Sequence, residues 1–323
     1  MKAANRLSFF SGILGFFVVA LGAWTRLADA GLGCPDWPGC YGFLTLPSSP
    51  EEIQLANSRF PDTPYEVAKA IPEVVHRYFA AALGFFILSL SVSLFREEKA
   101  SKNLKTLSFS LSCWVILQGV FGYLTVSLLL LPQIVTIHLM AGFLTVIVVW
   151  IIFFKTSDHL MKGHSLGFSK RINRLLSYGI FLVSVQIFLG AWTTTNYASF
   201  ACPDLPLCNG EIFPEANFLQ GFNFLQSVGP NYLGGHLDSP SRVAIHLSHR
   251  FGAIVVSLYL LYLVLSLYRI NLKKVSLLVF TCLFIQILLG ISNIVFHLPL
   301  LVAVGHNLGG LVLITVLSVL RFR

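Results

Sequence analysis

Long runs without a charged residue constrain this chain more than any other feature. Three of them, at 7–25, 78–95 and 251–268, are close to the roughly 20 apolar residues that a helix needs to cross a bilayer. Two longer runs, at 106–154 and 275–320, each hold enough residues for two helices and carry a proline near the middle, where a hairpin can turn. The runs therefore predict a protein that crosses a membrane several times.

Composition supports this prediction, since 55% of the residues are hydrophobic and only 11% are charged. The spans should be α-helices, because a helix satisfies its own backbone hydrogen bonds in lipid. We expect an all-α integral membrane protein with eight transmembrane helices. Their expected ranges are 7–27, 76–95, 106–129, 133–154, 174–195, 245–268, 275–296 and 300–320.

Basic residues are distributed unevenly between the two sides of these spans. Most of the 22 Lys and Arg residues fall on the side that holds both termini, which is typical of the cytoplasmic side. We therefore expect a protein of the cell (inner) membrane, with both termini cytoplasmic and the long loops at 28–73 and 196–244 outside. This asymmetry accounts for the net charge of +8, so membrane lipid is the expected surrounding and no nucleic acid is predicted as a partner.

The two long loops carry nearly the same sequence, CPDWPGC at 34–40 and CPDLPLC at 202–208. The repeat extends into the spans, because adding 168 to a position often gives the same residue type. Each half holds an even number of spans, so the halves share one orientation. We predict two tandem four-helix bundles, at 1–165 and 166–323, related by a pseudo-twofold axis along the membrane normal. The markers that share the offset include Gly22 and Gly190, Gln118 and Gln286, Gly122 and Gly290, and His138 and His306.

A cysteine stands at each end of the repeated segment, which gives the pairs Cys34 with Cys40 and Cys202 with Cys208. Because the outer compartment is oxidising, each pair can close a disulfide within its own loop. Two roles are open, a structural disulfide that staples the loop and a redox pair that cycles between thiols and disulfide. The spacing does not match that of a structural zinc site.

Four histidines lie near the starts of even-numbered spans and so share one depth near the outer side: His76, His138, His249 and His306. Ionisable groups inside a membrane are costly and usually mark function. Two imidazoles at matched depth on facing helices are typical of bis-histidine haem ligation. We predict one haem site in each half, with helix-to-helix hydrogen bonds or a copper site as alternatives.

The halves differ next to these histidines. Glu73 precedes His76 by three residues, whereas His246 precedes His249 by three. A carboxylate one helical turn from a haem can take or give protons, so we expect the N-terminal half to be the reacting one. The alternative is an outer-surface Glu73 that pairs with a nearby cation such as Arg77.

Arg77 and Arg250 each follow a candidate ligand directly. We predict that both bind haem propionates, with a solvated cation at a helix end as the alternative.

Taken together, Glu-x-x-His-Arg at 73–77, His-Arg at 249–250, single histidines at 138 and 306 and the paired cysteines resemble the haem A synthase family. The resemblance covers essentially the whole chain. It implies an oxidoreductase that oxidises a methyl group of haem O to the formyl group of haem A for cytochrome c oxidase biogenesis. The methyl group would pass through an alcohol and a hydrated aldehyde.

The resemblance also implies roles for individual residues. It makes His76 and His138 the iron ligands of the substrate or product haem, makes His249 and His306 the ligands of a haem b, and makes Glu73 catalytic. Haem O synthase and a second copy of the chain are candidate partners, and the electron acceptor is not identified. The alternatives are a diheme b-type electron carrier or quinone oxidoreductase that does not modify haem, and a transporter of haem or of another small molecule.

Overall fold

The computed structural model describes residues 1–157 and 168–322, and the regular secondary structure within them is helical. Eight of these helices are long and apolar enough to cross a membrane, which confirms the predicted spans. They are α1 (Lys2–Leu27), α3 (Val67–Arg96), α4 (Lys102–Ser127), α5 (Pro132–Thr156), α6 (Lys170–Thr195), α8 (Ser239–Arg269), α9 (Lys273–Val295) and α10 (Leu300–Phe322). Between them lie α2 (Pro50–Arg59), a 3₁₀ turn (Ala198–Phe200) and α7 (Phe218–Gly221).

Most spanning helices begin before their predicted first residues, and the largest shifts are nine residues at α3 and six at α8. Hydrophobicity marks where a helix meets lipid, whereas capping residues mark where the helix starts. The side chain of Asp238 accepts a hydrogen bond from the backbone N–H of Ser241, so α8 starts at Ser239, about three turns before its apolar run at 251–268. Helix α3 begins at Val67 and contains both Glu73 and His76, which therefore lie on one continuous helix.

Helix α2 was not predicted, although the sequence carries its signal. The Ser49 hydroxyl accepts from the backbone N–H of Glu52, and the Glu52 carboxylate accepts from the backbone N–H of Ser49, at 3.1 Å each. Pro50 occupies the first turn. Ser-Pro-Glu-Glu is thus a capping box with a proline at the helix start.

Helix contacts divide the chain into two rings of four. In the first half, α1 packs against α3, α3 against α4, α4 against α5, and α5 against α1. In the second half, α6, α8, α9 and α10 repeat this order. These contacts support the two predicted four-helix halves, but the predicted boundary between 165 and 166 lies outside the described residues.

The halves meet through α1 with α10, α5 with α6, and α5 with α10. Exchanging the halves turns the first contact into the second and leaves the third unchanged, as a two-fold relation requires. Moreover, the Arg26 guanidinium donates to the carbonyl of Thr194, and the Tyr197 hydroxyl donates to the Asp29 carboxylate at 2.8 Å. Both pairs are separated by 168 residues, so these residues contact their own repeat counterparts. Such contacts support a two-fold axis nearby, and the axis itself stays a prediction.

Both cysteine pairs form the predicted disulfides, Cys34–Cys40 and Cys202–Cys208. Each disulfide leads into a tight hairpin turn whose two central residues have positive φ, Tyr41 and Gly42 in one loop and Asn209 and Gly210 in the other. An aspartate stabilises each turn by accepting from both central N–H groups. Asp36 does so at 2.6 and 2.7 Å, and Asp204 at 2.8 Å twice.

Candidate functional site

Each half places its two histidines on helices that lie across the ring from one another. His76 is on α3 and His138 on α5, while His249 is on α8 and His306 on α10. In the second half the ring centroids of His249 and His306 are 6.4 Å apart, and the ring planes are at 86°. The structure thus brings this predicted pair together inside the helix ring.

This separation suits a single metal atom between the rings. A metal that is bound at about 2 Å by each imidazole nitrogen would place the ring centroids roughly 6 Å apart. The two imidazoles of the second half are therefore spaced so that one metal atom, such as the iron of a haem, could bind between them.

A glycine on the neighbouring helix lies against each of the four imidazoles. A Cβ atom at Gly22 would lie 2.9 Å from Cε1 of His76, and one at Gly190 would lie 3.0 Å from Cε1 of His249. The corresponding distance is 3.1 Å from Gly290 to His306 and 3.5 Å from Gly122 to His138. At three of the four positions any larger residue would push the imidazole away, so glycine sets the position of the ring.

Hydrogen bonds to the imidazoles differ between the helices. Nδ1 of His76 lies 3.1 Å from the carbonyl oxygen of Val18, and Nδ1 of His249 lies 3.0 Å from Nε2 of Gln186. By contrast, Nδ1 of His138 and Nδ1 of His306 are buried and have no hydrogen-bond partner within the described residues. A His76 that donates from Nδ1 keeps Nε2 free for a metal, as ligating histidines usually do.

Three glutamines fix the backbone beside the candidate ligands, a role that was not predicted. Their side-chain N–H groups donate to histidine carbonyls at 2.7 to 3.0 Å. The fourth position breaks the pattern, since residue 18, the counterpart of Gln186, is a valine. The repeat had already marked two of these glutamines, so a search for polar residues at repeated positions could have found them. The pairs are Gln118 with His138, Gln186 with His249 and Gln286 with His306.

Glu73 is buried, with 4% of its surface exposed, which contradicts the surface position of the alternative interpretation, whereas the pairing with Arg77 that this alternative expected is present. Its carboxylate accepts from the backbone N–H of Cys34 at 3.0 Å and forms an ion pair with Arg77. His246, its counterpart, is also buried, at 5% exposed, and its Nδ1 has no partner in the described part of the chain. The two halves therefore bury different ionisable groups at equivalent sites.

Arg77 and Arg250 attach the disulfide loops to the helices that carry the histidines. The guanidinium of Arg77 donates to the carbonyls of Asp36 and Gly39 at 2.8 and 2.6 Å. The guanidinium of Arg250 donates to three carbonyls of the other loop at 2.6 to 2.9 Å, while its Nε is buried with no partner among the residues described. Neither group is the solvated cation of the alternative, and their contact with haem propionates stays a prediction.

These features are those of a multi-pass membrane protein that buries histidines on facing helices of two four-helix rings. A family model described as cytochrome oxidase assembly protein matches residues 5–318. The haem A synthase of Shewanella oneidensis is 37% identical over 311 residues, which cover 96% of this chain and 93% of that protein. The chain belongs to this family of cytochrome oxidase assembly proteins, and the resemblance predicted from the sequence is confirmed.

More distant relatives have the same name. The haem A synthase of Wolbachia pipientis wMel is 25% identical over 323 residues, covering 94% of this chain and 88% of that protein. The haem A synthase of Neorickettsia sennetsu is 26% identical over 335 residues, covering 95% of this chain and 94% of that protein. The similarity therefore extends over both halves.

Proposed function

We propose that this protein is an oxidoreductase that converts haem O to haem A by oxidising one methyl group to a formyl group. Its relatives are named haem A synthases, and a synthase is an enzyme. The observation that carries the proposal is the buried carboxylate of Glu73, one helical turn from His76. Electron transfer alone needs two ligated haems and gives no role to such a carboxylate, whereas methyl oxidation releases protons that a base must accept.

In this proposal the N-terminal half holds haem O through His76 and His138. The Cys34 amide and Arg77 keep the Glu73 carboxylate in a fixed position on the face of α3 that carries His76. A carboxylate held in this way can accept a proton from the reacting group or from water. Arg77 also binds the disulfide loop, so the loop covers the outer side of the site and helps to exclude water.

The C-terminal half would hold haem b as a resident cofactor through His249 and His306. The ring separation and the supporting glycines both fit this group. When bound, haem b supplies one-electron transfer. Arg250 would hold the second outer loop over this site and would offer its free Nε to a propionate.

We further propose an inner-membrane protein with both termini in the cytoplasm and both haem sites near the outer side. It would serve cytochrome c oxidase biogenesis and receive haem O from haem O synthase by direct handover, and it can form homo-oligomers. Mild detergent extraction followed by crosslinking tests the handover. If haem O synthase and this protein never crosslink or co-purify, the handover is wrong.

The central experiment is to express the chain with a source of haem O, extract the pigments and identify them by mass. Wild type should yield haem A or the alcohol intermediate, while Glu73→Gln should accumulate haem O. Glu66→Gln is the matched control, because Glu66 lies in the same outer region but pairs with Lys69 and takes no part in the site. If wild type and both variants contain haem b alone, the diheme electron-carrier alternative is the better one.

A further inference from the structure

An apolar groove runs between α6 and α8 on the outside of the second half. Its volume is about 530 Å³, within the range of roughly 300–1,000 Å³ that is usual for small-molecule sites. Val185 and Leu189 of α6 and Phe251 and Val255 of α8 contribute to its walls, and Phe218 of the outer segment lines it as well. The walls are lipid-facing in part, since Val185 is 41% and Phe251 69% exposed. A ligand of this groove must therefore be lipid-soluble.

The corresponding place in the first half is filled. The repeat relates Val185 to Phe17, and the offset that relates His249 to His76 relates Gly252 to Phe79. The rings of Phe17 and Phe79 pack edge to face with centroids 4.9 Å apart. The groove is thus a specific difference of the second half, produced by a valine and a glycine where the first half has two phenylalanines.

Gln186 connects this groove to the candidate haem ligand. Its Nε2 donates to the carbonyl of His249 at 2.9 Å and lies 3.0 Å from Nδ1 of the same residue. Its Oε1 is buried and has no partner within the described residues. A Cβ on Gly252 would lie only 2.3 Å from that oxygen, so a glycine is needed here to leave room for Oε1, and both residues line the groove. This oxygen can accept a hydrogen bond from a hydroxyl group in the groove.

We propose that the groove binds a lipid-soluble quinone, which accepts the electrons that leave through the C-terminal half. The inference rests on the proposed function, because oxidation of a methyl group needs an acceptor. Conversion of a methyl to a formyl group with oxygen from water breaks two C–H and two O–H bonds and forms a C=O bond. The four electrons and four protons released reduce two quinones, one after the other, to two quinols.

Quinone chemistry matches both parts of the groove. The isoprenoid tail suits the apolar walls in both redox states. The oxidised quinone has only acceptor carbonyls, so Oε1 of Gln186 is a partner for the reduced quinol, whose hydroxyl can donate to it. A lipid acyl chain would leave Oε1 without a donor, and it is the competing occupant. Direct contact of Gln186 with His249 places the bound quinone beside the electron-transferring site.

The test uses the variant Val185→Phe, which places in the groove the phenylalanine that the first half has at the equivalent position. Full-length protein carrying haem b is reduced, mixed rapidly with decylubiquinone, and followed by its absorbance. We expect reoxidation to slow by roughly tenfold or more, the effect of about 1.4 kcal/mol in binding. Leu258→Phe adds an aromatic ring to an exposed site of α8 outside the groove, and it should reoxidise like wild type. Equal rates in all three proteins would overturn the proposal, and so would loss of haem b from Val185→Phe, because the groove would then belong to the haem site.

A second readout needs no turnover. Solvent extraction of protein purified from native membranes should release quinone from wild type and Leu258→Phe, and much less from Val185→Phe. Only phospholipid in all three extracts would identify the groove as a lipid site and overturn the proposal. Haem A formation by wild type with ferricyanide as oxidant is measured separately. If haem A forms there but the quinone assays fail, the quinone site is wrong and the proposed function stands.

Discussion

The two halves use one framework and differ at a few positions around it. Both place paired histidines across a ring of four helices, support each imidazole with a glycine, and close the outer side with a disulfide loop held by an arginine. The differences lie next to the histidines, in an acid, a glutamine and a pair of aromatic rings. The differing pairs are Glu73 and His246, Val18 and Gln186, Phe17 and Val185, and Phe79 and Gly252.

These differences separate two tasks that one duplicated fold can carry. The first half has a buried carboxylate and a wall toward lipid closed by packed rings. The second half has a buried imidazole in place of the carboxylate and a groove that opens toward lipid. Proton chemistry is thus expected on one side and exchange of electrons with a lipid-soluble partner on the other. The predictions below test this division.

The largest expected effect comes from replacing Glu73 of the first half with histidine, the residue that the second half has at the equivalent position. Glu73→His should lower haem A formation by about 10²–10⁴-fold, the usual contribution of a general acid or base. The reciprocal variant His246→Glu should keep activity, because Arg250 stands one turn away, as Arg77 does for Glu73. Extracted pigments identified by mass measure both. A fully active Glu73→His would remove the functional distinction between the halves.

Loss of one imidazole should affect only its own half. We expect His249→Ala to retain the N-terminal haem and to lose the C-terminal one, since a paired site needs both axial ligands. His76→Ala should show the reverse. Pigment content per chain should fall by about half in each variant. Loss of all haem from either variant would mean that the two sites are not independent.

The sequence alone was enough to predict the eight helices, the paired histidines and the disulfides, because each depends on residue type and spacing. Long apolar runs have few folds available in lipid. The groove could not be predicted, because it depends on side chains at Val185 and Gly252 that are smaller than the packed phenylalanines at the equivalent positions of the first half. The burial of His246 depends on where α8 begins, which its polar first turns concealed.

Removing the two disulfides one at a time should distinguish an effect on stability from an effect on haem A formation. Loss of a short disulfide loop should lower the free energy of unfolding by about 2 kcal/mol in either half. Cys34→Ser should also lower haem A formation, because the Cys34 backbone helps to hold Glu73, whereas Cys202→Ser should change stability alone. Thermal unfolding and pigment analysis measure the two effects, and both variants should still bind both haems. A reductant that changes turnover but not unfolding of wild type would favour the redox interpretation.

The glycines beside the imidazoles allow a graded test. Gly22→Ala should displace His76 and cost about 1 kcal/mol in haem binding, as overpacking of a filled site does. Gly122→Ala should have little effect, because its Cβ would lie 3.5 Å from His138, an ordinary contact distance. Gly84→Ala is the control, since nothing lies within 4 Å of its Cβ position. Haem titration and the visible spectrum measure the series, and equal effects at Gly22 and Gly84 would rule out a positioning role.

The smallest effect should be a pH dependence that arises in the outer loops. The pKa of Asp204 lies below its usual value, because the backbone N–H of Gly210 donates to its carboxylate. The folded state therefore favours the charged form, so the stability that Asp204 contributes is complete above about pH 4, near the pKa of an unfolded aspartate. It is lost as the pH falls through the lower folded pKa. Thermal unfolding measured from neutral to acidic pH should show this loss in wild type and a smaller one in Asp204→Asn, which does not titrate. If both proteins lose stability equally, the turn does not depend on the charge of Asp204, and its two hydrogen bonds serve geometry alone.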